Sequence, residues 1–117
     1  MSERPQVAYK VLTADQMAAL ERDGQFAGAP IDVADGYIHL STAAQLTETV
    51  DKHFAGQSDL YVAAVDLTAQ DDPVKWEESR GGQLFPHLYG VLALNTVVAY
   101  GPLERDDDGQ VRLPVSG

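Results

Sequence analysis

The chain has 117 residues, enough for one compact domain with a real core and too few for two. Hydrophobic residues make up 44% and charged residues 22%, ordinary folded-protein usage that excludes a disordered chain, and the lack of cysteine excludes disulfides, thiol nucleophiles and thiolate metal sites. The net charge of −10 repels phosphate backbones at long range, so general nucleic-acid binding and anionic-membrane binding are both disfavoured.

The opening "MSERPQ" has no apolar run of a signal peptide, and no stretch approaches the roughly 18 apolar residues of a membrane helix, which makes a cytoplasmic protein the expectation. "VAYKVL" (7–12), rich in β-branched and aromatic residues, predicts a strand. "TADQ" follows as a capping box, with Thr13 as the cap and Gln16 reaching back to its backbone N–H. The helix runs to about Asp23 and stops at Gly24, with Met17 and Leu20 as its buried stripe. Residues 25–36, with three glycines or prolines and two aspartates, read as a loop ending at Asp35-Gly36. "YIHL" is a short strand. A second capping box, Thr42 with Gln45, opens a helix to about Ala55 closed by Gly56; Ala43, Leu46, Val50 and Phe54 form its core-facing stripe. "LYVAAVDL" (60–67) is apolar on both alternating faces, as a central strand is. Residues 71–88 read as irregular, with a Gly81-Gly82 hinge. A last strand, "NTVVAYGPLE", meets "QVRLP" across "RDDDG", where Asp108-Gly109 signals a hairpin. Few helices and a late run of strands predict one α+β domain over residues 1–117.

Two clusters hold residues capable of chemistry. Along "DGYIHLST" side chains alternate, so Tyr37, His39 and Ser41 share one face while Ile38 and Leu40 turn to the core. Ser41 and Thr42 also stand at a helix N-terminus, where free N–H groups favour an anion. The purely structural alternative makes one hydroxyl a helix cap and His39 a half-exposed strand residue. The second cluster, "KWEESRGGQLFPHLYG" (75–90), brings Trp76, Glu77, Arg80, His87 and Tyr89 onto a segment restrained by Pro86 and three glycines. Its alternative is an ordered crossover in which Trp76, Phe85 and Tyr89 plug the core. Lys10, Arg22, Lys75 and Arg80 are the cations able to form a basic pocket inside the acidic shell. The three histidines lack metal-ligand spacing, no G-x-S-x-G elbow is present, and His53 reads as a surface or rim residue.

"YKVL", "DGYIHLST" and "WEESRGGQLFPHLYG", in that order over nearly the whole chain, resemble the DUF952 family of small bacterial proteins, grouped with the ADP-ribosyltransferase superfamily. "IHLS" is similar to a histidine-bearing strand of RNA 2′-phosphotransferases, which transfer an RNA phosphate to NAD. The resemblance implies an ADP-ribosyltransferase-like α+β fold of two small, mostly antiparallel sheets and two main helices, with a cleft between the sheets. It also implies NAD, or another small phosphorylated nucleotide-like ligand, as the bound molecule. On that reading His39, Glu77 and His87 are the catalytic candidates: His39 bonds a ribose or phosphate, and Glu77 stabilises an oxocarbenium or acts as base. Lys10, Tyr37, Ser41 and Thr42 line the ligand site, Arg80 neutralises phosphate, and Trp76 or Tyr89 stacks on a ring. The chain departs from NAD-binding relatives in having "YKVLT" at its first strand and no glutamate in "NTVVAY". A binding module that keeps the cleft without the chemistry is the alternative. A shared site requires the His39 and His87 rings to lie within about 12 Å of each other.

Overall fold

The predicted first strand forms as β1 (Val7–Thr13), and its capping box launches α1 (Ala14–Asp23). Gln16 N donates to Thr13 Oγ1 at 3.1 Å and Thr13 N donates to Gln16 Oε1 at 3.0 Å, while Gly24, at φ 76°, ends the helix. The computed structural model describes residues 5–78 and 82–114, so Arg80 and Gly81 lie outside the described residues. The remaining elements are β2 (Gln25–Phe26), α2 (Pro30–Asp35), β3 (Ile38–His39), α3 (Ala43–His53), β4 (Leu60–Asp66), β5 (Val74–Glu78), β6 (Leu84–Leu88), β7 (Leu92–Ala93) and β8 (Val97–Pro102).

The strands form two three-stranded antiparallel sheets, β1-β4-β8 and β3-β6-β5, and a small pair, β2-β7. The doubly apolar β4 is central in the first sheet, covered on both faces. One face packs Ala63 and Val65 with Leu12, Met17, Leu20, Ile38 and Leu88, joining α1 and the second sheet into one core. The other face packs Val62 and Val11 against Leu46 and Val50 of α3. Burying a side chain of this size contributes about 1.5–3 kcal/mol, which is why the helix stripes dock where they do.

Several expectations change. The expected loop at 25–36 contains a third helix, α2, which starts with Pro30 and ends at Gly36 at φ 88°. It buries no apolar side chain, only Asp32, so a search for an apolar stripe passes over it. The expected irregular stretch at 71–88 contains the paired strands β5 and β6 instead. Pro86 obscures this, because proline is unusual in a central strand; here its carbonyl accepts from Leu40 N at 3.1 Å. α3 stops at His53, short of Ala55, and Ala43 faces solvent rather than the core. The expected last strand forms as β8 but pairs with β4; beyond it the turn forms around Gly109 with a single bridge, Arg105 to Val111, and the "QVRLP" segment forms no strand among the described residues. Among the described residues no helix is long and apolar enough to cross a membrane.

Candidate functional site

The segment 38–41 changes sheets, and that change creates the site. Ile38 and His39 pair with Leu88 and His87 of β6. Two residues later Ser41 exchanges backbone bonds with Tyr9 of β1, at 2.7 and 2.9 Å. The side-chain alternation sends Ile38 and Leu40 into the core and leaves Tyr37 and His39 on the opposite face. Because His39 and His87 are directly opposite in register, their ring centroids lie 5.4 Å apart, edge to face. Tyr37 stacks on His87 at 4.1 Å and lies 5.1 Å from Tyr89.

His39 is held by α2. Its Nδ1 lies 2.6 Å from Asp32 Oδ1, and its backbone N donates to the same oxygen at 3.1 Å. Asp32 Oδ2 accepts from Lys10 Nζ at 2.9 Å and from Ala29 N at 2.8 Å, and Lys10 Nζ also donates to the His39 carbonyl at 3.1 Å. Asp32 is 1% exposed and Lys10 6%. Burial pushes Asp32 upward, but the His39 hydrogen bond and the Lys10 charge outweigh it and hold the carboxyl far below the usual carboxylate range. Burial lowers the Lys10 ammonium, with Asp32 opposing. An ionised Asp32 can only accept, so His39 Nδ1 carries a proton. His39 Nε2 lies 3.0 Å from Asp35 Oδ2, a contact that is a hydrogen bond when Nε2 is protonated too. Gly28 completes this corner: it sits at φ +123°, and a Cβ there would lie 2.8 Å from Asp32 Cβ.

His87 is held by β5. Its Nδ1 lies 2.8 Å from Glu77 Oε1, which also accepts from Tyr89 OH at 2.6 Å. Those two hydrogen bonds, Tyr89's first, lower the Glu77 carboxyl, and the same carboxylate pushes the Tyr89 phenol up to about 12. With Nδ1–H on Glu77, the neutral ring presents Nε2 as an acceptor. Lys75 Nζ lies 4.6 Å from the centre of the Tyr89 ring.

A cavity of about 530 Å³ opens onto Lys10, Tyr37, His39 and His87, with α2 on one wall and the end of α3 on another. Ser41 lines it but is buried, its hydroxyl 2.8 Å from Thr49 Oγ1. Thr42 caps α3 by accepting from Gln45 N and faces a different surface depression. The capping alternative therefore describes Thr42. Glu77 and Tyr89 stand behind His87 rather than on the cavity wall. Trp76, opposite Pro86 in register, lies on the other face of its strand from Lys75 and Glu77, so it is not brought into the cluster. Arg22 pairs with Asp23 on the surface of α1, while His53 stands exposed at the cavity rim. Sequence reasoning passed over Asp32 and Asp35. The available signal was "APIDVADG": proline at the first helical position, an acid two residues later and glycine after the end.

Fold and site together define a small α+β protein whose two three-stranded sheets are linked by a histidine-bearing segment beside a cavity. The chain belongs to the family described as "Protein of unknown function (DUF952)", whose model matches residues 11–100. It is similar to the crystal structure of protein CC0527 from Caulobacter crescentus, at 40% identity over 91% of this chain and 93% of that one, with a TM-score of 0.81. The solution NMR structure of CC0527 is similar at 41% identity over 92% and 91% of the two chains, with a TM-score of 0.76. No curated protein matches the chain.

Proposed function

We propose that the cleft binds a small phosphorylated, nucleotide-like molecule, NAD being one candidate, and that its two histidines perform proton transfer during ADP-ribosyl or phosphoryl transfer in an ADP-ribosyltransferase-like fold. The observation that carries this reading is the pair of rings 5.4 Å apart at one cavity, each oriented at Nδ1 by its own carboxylate. His87 is the base in this scheme: Nε2 takes a proton from a ligand hydroxyl while Nδ1–H stays on Glu77. His39 keeps Nδ1–H on Asp32 and, when Nε2 is protonated, donates from Nε2 to developing negative charge in place of Asp35. Glu77 positions His87 instead of touching the ligand, a change from the role its sequence context suggested. Tyr37 offers an aromatic face, and the cavity volume falls within the usual small-molecule range.

Histidine-ring NMR with NAD, ADP-ribose and mononucleotides at millimolar concentration tests the reading. Both His39 and His87 signals should move; if neither moves with any of these ligands, the reading fails. Where turnover is detected, His87→Ala should lower it about 10²- to 10⁴-fold.

A second reading, a binding module without catalysis, draws support from Glu77 Oε1 being fully engaged by Tyr89 and His87. It predicts ligand binding without turnover, and unchanged affinity in Glu77→Gln.

A further inference from the structure

His39 is gripped by two carboxylates of very different standing. Asp32 is fully buried at its side chain and accepts from Lys10, from Ala29 N and from both the ring and the backbone of His39. Asp35 lines the cavity, its side chain is 43% exposed, and its contact with His39 Nε2 at 3.0 Å is open to solvent, an ion pair when Nε2 is protonated. It is the last residue of α2, followed directly by Gly36 at φ 88°, so its carboxylate rotates toward water without disturbing a helical turn beyond it. Asp32 is needed to keep His39 and Lys10 in place; Asp35 is not.

We infer that His39 Nε2 is an oxyanion-binding position, and that Asp35 is an internal competitor which a ligand phosphate displaces. The inference rests on the reading of the cleft as a site for a phosphorylated molecule and adds where the phosphate docks. Displacement exchanges one oxyanion for another at a nitrogen already oriented by Asp32, so the ring does not have to reorient. Turning Asp35 outward also removes one negative charge from the corner that holds Lys10, Asp32 and His39, so an anion meets less repulsion there. A solvent-screened pair is weak enough to yield to a phosphate, whereas the buried pair beneath it is not.

The test uses inorganic phosphate as the probe and the His39 Nε2 signal in ¹⁵N NMR as the readout, in the wild-type protein and in Asp35→Asn and Asp35→Ala. Removing the competitor should tighten phosphate binding about two- to fivefold, the range expected for an exposed ion pair. Asp107→Asn, which removes one charge from an exposed turn away from the cavity, should leave the affinity unchanged. Equal affinity in the wild type and both Asp35 variants, with His39 still responding, overturns the role of Asp35 and leaves the cleft reading standing. Equal tightening by Asp107→Asn overturns it as well, because net charge alone then accounts for the gain. No response of His39 or His87 in any of the proteins overturns both the Asp35 proposal and the phosphate reading beneath it.

Discussion

The two histidines face one another across a single strand pair, yet they are supported in opposite ways. His39 keeps a third of its side chain exposed while both ring nitrogens face carboxylates. His87 is almost wholly buried, at 3%, and among the described residues only its Nδ1 is held by a carboxylate. Exposure and chemical availability therefore run in opposite directions here. The difference originates in the supporting elements. α2 brings a buried carboxylate to His39 and β1 brings a buried ammonium, an arrangement that fixes geometry. β5 brings Glu77 to Nδ1 of His87, whose ring lines the cavity, an arrangement in which Nε2 is an acceptor when the ring is neutral.

The strongest way to break the comparison is Asp32→Asn. It leaves the Lys10 ammonium buried without its counter-charge, and loss of a partner from a buried pair costs about 3–5 kcal/mol. Denaturant unfolding reads this directly, and the His39 ring signals should shift more than those of His87. The pH dependence has a definite sign. The folded Asp32 carboxyl lies below its ordinary value of 3.8, so its contribution is complete above that value and is lost as the pH falls below it. Wild-type stability should decline more steeply than that of Asp32→Asn on acidification below about pH 4.

Gly28→Ala acts on the same side with a smaller effect. It strains a left-handed backbone position and crowds Asp32, so unfolding should show a loss of about 1–3 kcal/mol. His39 signals should move while His87 signals stay; equal movement of both would mean that the two supports are one coupled unit.

Tyr89→Phe probes the other side and is the mildest. Glu77 loses the larger of the two hydrogen bonds that lower it, so its carboxyl should titrate nearer its ordinary value in a carboxyl-detected NMR titration. Folded Glu77 titrates below its unfolded counterpart, so the stability that this bond contributes is present above the ordinary value of 4.5 and lost on acidification. An unmoved Glu77 titration would show that His87 alone sets the carboxylate.

How much of this was legible depended on how local the signal was. Both capping boxes, the Gly24 stop, the buried pairs Met17–Leu20 and Leu46–Val50, and the central position of β4 all follow from spacing within a few residues. The facing of His39 away from Ile38 and Leu40 follows from strand alternation in the same way. α2 was hidden because its one buried residue is an aspartate, and a short helix held by polar contacts has no apolar period to detect. β5 and β6 were hidden because glycines and Pro86 look like loop residues until a partner strand is known.

The sequence by itself therefore determined the α+β class, the extent of α1, the start of α3 and the two histidine segments, since each rests on short-range hydrogen bonding and periodicity. Only the tertiary structure decided that the segments meet, that Asp32 and Lys10 stand beneath His39, and that Trp76 falls on the opposite strand face from Glu77. The reason is physical. Register between strands 48 residues apart, and pairing of charges 22 residues apart, are chosen by the burial of the whole core, which no local window contains.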